Sequence, residues 1–207
     1  MATLAKSIGW TAPAGGPAIN REQCEKILTA PGQRFEMETL DIRGIPTRVW
    51  KNAPEWQPTR EVVEQLTAVS DWCELLFATN IVFEQLVGSL FRTELVMQIS
   101  ARNGDYITPT IVGTGEHDYD RDLNYTRTLF QLLTHDPEYG EANRALFDEW
   151  MAVWVPRCLA AARALQPIWS QPADKAVTFA TSLEAASAKF TVLLESLGLD
   201  IPKELTR

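Results

Sequence analysis

The sequence predicts an all-α fold for the main part of the chain. From residue 55 onward, apolar residues recur every three or four positions, which is typical of helices with a buried face. Helix-start and helix-stop residues separate these stretches, whereas the residues before Pro54 lack the helical period. We therefore divide the chain into an N-terminal appendage, residues 1–54, and a helical region, residues 55–207.

The appendage combines an irregular lead with a possible β-hairpin. Residues 11–17 are rich in Ala, Gly and Pro, and residues 20–28 have the pattern of a short helix. Residues 35–42 and 47–50 carry strand-forming residues, and residues 43–46 between them have the composition of a turn. The sequence thus predicts a short irregular and β-hairpin segment ahead of the helices.

Five helices are predicted in the helical region. Asp71-x-x-Glu74 and Thr181-x-x-Glu184 have the pattern of capping boxes. Pro and Gly predict an irregular crossing at 106–115 and a loop at 166–174, and Pro156 predicts a kink. The predicted helices are 59–69, 71–102, 116–134, 141–165 and 181–197.

The second predicted helix is apolar on two faces. One face carries Trp72, Leu75, Leu76, Phe83, Leu86, Leu90 and Met97. The other carries Phe77, Ile81, Gly88, Phe91 and Leu95. Such a helix needs protein on nearly every side, and four further helices offer limited cover. We therefore expect a partner protein to supply part of the covering surface.

Composition excludes several classes of protein. The formal net charge of −8 argues against binding a phosphate backbone as the main function. Cys24, Cys73 and Cys158 are far apart and form no metal-binding pattern, so we expect reduced thiols in a cytoplasmic protein. No apolar run is long enough to span a membrane, and the first residues do not have the pattern of a signal peptide.

The sequence offers no recognisable catalytic or metal site. A ferritin-like di-iron centre takes a Glu from each of two helices and a Glu-x-x-His from each of two others. Neither His117 nor His135 has a Glu three residues before it, and Glu84 and Glu94 are about 15 Å apart along a helix. Glu116, beside His117, is interpreted as part of a helix start. We therefore predict no catalytic, cofactor-binding or metal-binding residues.

Three segments carry a resemblance to a known family. They are WCELLFATNIVFEQLVGSLFRTELVMQ at 72–98, NGDYITPTIVGTGEHDY at 103–119 and WVPRCLAAARALQPIWSQ at 154–171. Together they resemble the β (small hydroxylase) subunit of soluble di-iron monooxygenases, and most closely the propane-oxidising group. The resemblance extends from about residue 55 to the C-terminus.

This resemblance implies a partial ferritin-like helical bundle that acts as a non-catalytic scaffold. It implies an α subunit that carries the di-iron centre and hydroxylates a small hydrocarbon such as propane, together with an NADH-dependent reductase and a coupling protein. This chain itself would bind no cofactor. The alternative is a truncated or fused helical fragment with no role in an oxygenase complex. The residues expected at the partner interface are Trp72, Phe77, Ile81, Phe83, Phe91, Leu95, Trp150 and Trp154.

A second resemblance concerns the appendage. Residues 27–54 are similar to the leading segment of AMP-forming acyl-CoA ligases. Those enzymes need a Ser/Thr/Gly-rich phosphate loop, and this sequence lacks one. The resemblance therefore predicts a join between two pieces near Pro54 and no ligase activity.

The missing Glu-x-x-His pairs generate a first prediction. The purified chain is expected to bind no stoichiometric iron after anaerobic loading with Fe²⁺ and desalting, as measured by elemental analysis. Two iron atoms per chain, lost on replacing His117 or His135, would contradict it.

Overall fold

The computed structural model describes residues 44–175 and 177–205, with side chains from Arg48 onward. The chain divides into two compact units, Met1–Thr47 and Arg48–Arg207. The described residues form helices joined by short turns, so the all-α prediction for the main part is confirmed. The predicted elements at 11–17, 20–28 and 35–42 lie outside the described residues.

The first described helix, α1 (Gly44–Asn52), replaces the predicted strand at 47–50 and the turn before it. That part of the prediction was wrong. The β-branched and aromatic residues at 47–50 favour a strand, but Pro46 before them is also compatible with the start of a helix. Pro46 is the third residue of α1, where a helix leaves backbone N–H groups unpaired and loses nothing to proline. A single turn, Pro54–Trp56, follows and leads into α2 (Gln57–Ala68), the first predicted helix of the main region.

The long central helix, α3, spans Trp72–Asn103 as predicted. Asp71 caps it, because its Oδ1 accepts hydrogen bonds from the N–H groups of Cys73 at 2.7 Å and Glu74 at 3.2 Å. Gly104 ends it with a φ of 89°, a left-handed conformation that glycine adopts without strain.

Most of α3 is wound more widely than an α-helix. Phe77–Gly88 and Leu90–Ser100 are π-helical, and the N–H of Ser89 donates to the carbonyl of Glu84, five residues back. A turn of this kind takes more residues than the 3.6 of an α-helix. The residues assigned to two apolar faces with the α-helical period therefore have different angular positions around the helix axis.

Helix α4 spans Ile107–Thr134, so the irregular crossing predicted at 106–115 is wrong. Asp105 Oδ1 accepts hydrogen bonds from the N–H groups of Ile107 at 3.1 Å and Thr108 at 2.9 Å. Asp105 therefore caps the N-terminus of α4. Pro109 is the third helical residue and removes no required hydrogen bond. The helix therefore starts nine residues before the predicted acidic start at Glu116.

The remaining helices follow the predictions with two exceptions. Helix α5 (Gly140–Ala164) contains Pro156, and Asp136 caps the turn before it. The predicted loop at 166–174 instead begins with a short helix, α6 (Gln166–Ser170), because Pro167 stands in its first turn. The capping box predicted at Thr181 is wrong, because helix α7 (Phe179–Ser196) is capped by Thr178, whose Oγ1 accepts a hydrogen bond from the N–H of Thr181. A final turn, Lys203–Leu205, follows.

Helix α3 is at the centre of the unit Arg48–Arg207. Its first half packs against α4, α5 and α7, and α2 covers the neighbouring face of α5. An aromatic group fills the middle of this core: Phe77 lies 5.3 Å from Phe130, 5.4 Å from Phe147 and 5.8 Å from Trp150 between ring centroids. By length and composition α3 could also cross a membrane, but half of its apolar window is already buried inside the fold.

The core position of Phe77 generates a second prediction. Phe77→Ala should lower the free energy of unfolding of the isolated chain by about 3–5 kcal/mol, because it empties a ring-sized volume among three aromatic side chains. Urea unfolding followed by circular dichroism measures this. Val192→Ala is the control, since Val192 is 64% exposed and its loss should change stability by less than about 0.5 kcal/mol. An unchanged midpoint for Phe77→Ala would contradict the core assignment.

Candidate functional site

The structure places half of the residues expected at a partner interface inside the chain's own core. Phe77 and Ile81 have no exposed surface, and Trp150 and Trp154 are buried. Trp154 also donates its indole N–H to Glu74 Oε1 at 3.0 Å, which ties α5 to the first turn of α3. In this conformation these four side chains have little or no surface to offer a partner, because α4, α5 and α7 already cover α3.

The other four expected interface residues keep some exposed surface. Phe83, Phe91 and Leu95 are half-buried, and Trp72 is 66% exposed at the start of α3. Phe91 stacks on Trp56, with ring centroids 5.2 Å apart, so its ring already has neighbours within the chain. For these residues the contact with a partner stays a prediction.

Four exposed apolar side chains lie on one side of α4, two of them in the stretch 106–115 that was expected to be irregular. They are separated by four, fourteen and seven residues, which keeps them on one side of an α-helix. All of them are exposed by more than half. They are Ile107, Ile111, Tyr125 and Leu132, hereafter the α4 row. Exposed Asp118 and Asp122 lie between the first pair and the second.

A polar cluster joins the opposite side of α4 to α3. Arg92 on α3 forms ion pairs with Glu84 on the same helix and, from Nε to Oε1 at 3.2 Å, with Glu116 on α4. The Arg92 guanidinium carbon also lies 4.2 Å from the centroid of the Tyr119 ring, a cation–π contact. Gln85 donates a hydrogen bond to the Tyr119 hydroxyl. We call these five residues the Arg92 cluster.

The environment of the Arg92 cluster perturbs two of its ionisable groups. Burial alone would lower the pKa of the Arg92 guanidinium, but the hydrogen bond and charge of Glu84, together with the electrostatic effects of Tyr119 and Glu116, outweigh burial and raise that pKa above its usual value. Burial raises the pKa of the Tyr119 hydroxyl, against the opposing effects of Gln85 and the Arg92 charge. Arg92 therefore stays charged and Tyr119 stays neutral across the physiological pH range.

Gly88 leaves room for this arrangement. A Cβ at position 88 would meet Glu84 Oε2 in overlap and approach Arg92 Nη1 to 2.8 Å. The π-helical winding places Glu84, Gly88 and Arg92 along one side of α3, so the ion pair lies across the glycine. The structure thus explains the glycine at position 88 by the space that two charged side chains occupy.

The sequence alone does not bring the members of this cluster together, because they are far apart in the chain. Glu94, also on α3, is buried and lies 3.5 Å from Lys189 Nζ, so it takes no part in the cluster. Glu116 is the tenth residue of α4 and not part of a helix start. The spacing Glu116-x-x-Tyr119 would have pointed to one helix face directed at α3.

Within residues 44–175 and 177–205, no group of three or more His, Cys, Asp or Glu side chains is placed to hold a metal ion. His117 and His135 are exposed, and a His135 ring nitrogen lies 2.8 Å from the Gln131 carbonyl. Burial raises the pKa of the Cys158 thiol to about 12, against the Arg157 charge, so it stays protonated and unreactive.

Known proteins with similar sequences are small hydroxylase subunits. The chain is 80% identical over 159 residues to the small subunit of the propane 2-monooxygenase hydroxylase component of Mycolicibacterium goodii, a match that covers 77% of this chain and 43% of that protein. It is 81% identical over 157 residues to the corresponding subunit of Rhodococcus jostii (strain RHA1), with 76% and 43% covered. The chain thus spans less than half the length of these relatives.

Two more distant matches are a methane monooxygenase chain and a phenol hydroxylase structure. The methane monooxygenase component A β chain of Methylococcus capsulatus is 28% identical over 121 residues, which cover 58% of this chain and 31% of that one. Among solved structures, phenol hydroxylase from Pseudomonas sp. OX1 matches with a TM-score of 0.64 and 22% identity, over 80% of this chain and 47% of that chain. This structural match confirms the ferritin-like helical fold expected for the main region.

A family model described as methane/phenol/alkene hydroxylase matches residues 27–137. The match extends back into residues 27–54, the stretch whose sequence resembles an acyl-CoA ligase lead. Because it covers more than half of the 207 residues, the chain belongs to the methane/phenol/alkene hydroxylase family.

Proposed function

We propose that this chain is a non-catalytic β subunit of a multicomponent, NADH-dependent di-iron monooxygenase hydroxylase. In this role it packs against an iron-bearing α subunit that hydroxylates a small hydrocarbon such as propane, with a reductase and a coupling protein completing a cytoplasmic system. The observation that carries the proposal is the 80–81% identity to propane 2-monooxygenase small subunits over three quarters of the chain. The lack of a metal-binding group within the described residues agrees with a scaffold role.

A second candidate is a helical fragment that folds but no longer enters an oxygenase complex. The observation that favours it is coverage, since the chain spans 43% of the propane relatives. The compact core around α3 supports independent folding under either candidate. The two candidates therefore differ in partner binding rather than in stability.

The surface proposed to meet the α subunit comprises Trp72 and the α4 row. These side chains are large, apolar and exposed, whereas most of the other residues first expected at the interface are at least half-buried. An apolar partner surface would remove them from water, which is the main driving force for stable subunit contacts. The proposed contact surface thus moves from the two faces of α3 to the start of α3 and the outer side of α4.

Co-expression with a tagged, iron-bearing hydroxylase subunit of the propane type tests the proposal. The wild-type chain should co-purify at a fixed ratio and remain bound through gel filtration. A chain that elutes alone, with the helical circular dichroism spectrum of a folded protein, would instead support the fragment candidate.

Ile111→Asp generates the third prediction. It should weaken binding to the α subunit by at least about a hundredfold, because a charge buried without a partner costs several kcal/mol. Val192→Asp is the matched control, since Val192 is equally exposed on a different helix. Isothermal titration with both variants measures the effect, and circular dichroism confirms that each remains folded. Equal affinities for the two variants would exclude the α4 row from the interface.

A further inference from the structure

The Arg92 cluster has half of the residue pattern of a ferritin-like metal centre. That centre takes a Glu from one helix and a Glu-x-x-His from a neighbouring helix, and then repeats the pair. Here Glu84 comes from α3, and Glu116-x-x-Tyr119 comes from the adjacent α4, with Tyr in place of His. The two carboxylates approach one point between the helices, since both contact the same guanidinium.

A metal ion does not fit between these carboxylates while Arg92 is in place. Its guanidinium donates from one nitrogen to each carboxylate and lies over the Tyr119 ring. The guanidinium therefore occupies the space between the carboxylates and provides the positive charge that a metal ion would provide. A third nitrogen, Nη2, is buried without a hydrogen-bond partner, which is unfavourable for so polar a group and indicates that the guanidinium is held by its two ion pairs.

We propose that Arg92 is a built-in cation that replaces a metal ion as the bridge between Glu84 on α3 and Glu116 on α4. A guanidinium suits this role because its planar fork carries a permanent charge and several donors directed at carboxylate oxygens. The bridge places one positive charge between two acidic groups and so reduces their repulsion across the helix pair. It deepens the proposed scaffold function, on which it rests, by naming what holds this half of the motif together.

The bridge matters because the first part of α4 has no fully buried side chain. The buried residues of α4 are Thr126, Phe130 and Thr134, all in its last third. Between 107 and 125, Leu123 is partly buried against the core, and the Arg92 cluster supplies charged and polar contacts with α3. This part of the helix also carries Ile107, Ile111 and Tyr125 of the α4 row. The cation bridge therefore positions the surface proposed for partner contact.

Hydrogen exchange on the isolated full chain tests this fourth prediction. Arg92→Ala should raise the exchange rate of amides in 107–123 by about tenfold or more, since it removes two charge-assisted bonds and leaves two facing carboxylates. Amides of α5 should keep their wild-type rates. Glu116→Gln, which leaves the Arg92–Glu84 pair intact, should raise exchange in the same peptides. Arg121→Ala is the control, because Arg121 pairs with Asp118 and Asp122 on the exposed side of α4.

A second measurement tests whether a metal ion can take the same place. Millimolar Mn²⁺, a cation that prefers carboxylate ligands, should slow exchange in 107–123 of Arg92→Ala back toward the wild-type rate. It should have no effect on the wild type or on the Arg92→Ala/Glu116→Gln double variant. The measurement needs no α subunit, so its failure is distinct from failure of the proposed function.

Three outcomes would overturn the inference. One is wild-type exchange in 107–123 for both Arg92→Ala and Glu116→Gln. Another is an equal response to Mn²⁺ in Arg92→Ala and in the double variant, which would place the metal elsewhere. The third combines faster amide exchange in α5 of Arg92→Ala, which Mn²⁺ does not slow, with wild-type exchange in 107–123 of Glu116→Gln. The arginine would then support the core rather than bridge two carboxylates.

Discussion

The burial of helix α3 is the constraint on which the rest of the described structure depends. Between residues 77 and 90 it carries Phe77, Ile81, Leu86 and Leu90 without exposed surface, on several sides of the helix. A helix of this kind cannot lie on the outside of a small domain, so α4, α5 and α7 are arranged around it. The aromatic group centred on Phe77 then fixes the spacing between α3, α4 and α5, because rings pack in few orientations.

The Arg92 cluster is the polar exception to this apolar arrangement, and it lies where α4 leaves the core. Farther along α4, Phe130 is fully buried in the core; before residue 126, the ion pair between Glu116 and Arg92 adds a charged contact with α3. A scaffold subunit that kept carboxylates in metal-site positions without a cation would be destabilised by their repulsion. An arginine between them keeps the geometry of the helix pair while it removes the need for a metal ion.

The distribution of apolar surface connects the fold to the proposed partner. Half of the residues first expected at an interface are buried inside the chain, so the proposed contact surface is restricted to Trp72 and the α4 row. On the further proposal, the Arg92 cluster on the other side of α4 positions this row. The Arg92 cluster thus lies between α3 and α4, and the proposed contact surface lies on the other side of α4.

The sequence by itself determined the helical class, the long α3 with its Asp71 cap and Gly104 stop, and the absence of a Glu-x-x-His pair, because caps, stops and motifs depend on residues close together in the chain. It also carried enough family pattern in 72–119 to identify the hydroxylase relationship. The tertiary structure decided what local patterns leave open. Pro46 and Pro109 proved compatible with helix starts, which depends on whether the preceding residues cap or extend the helix. The packing of α4 against the π-helical α3 decides which apolar residues are buried in the core. It also brings Glu84 and Glu116 together at Arg92. Neighbours in space that are 24 or more residues apart leave no periodic trace in one sequence.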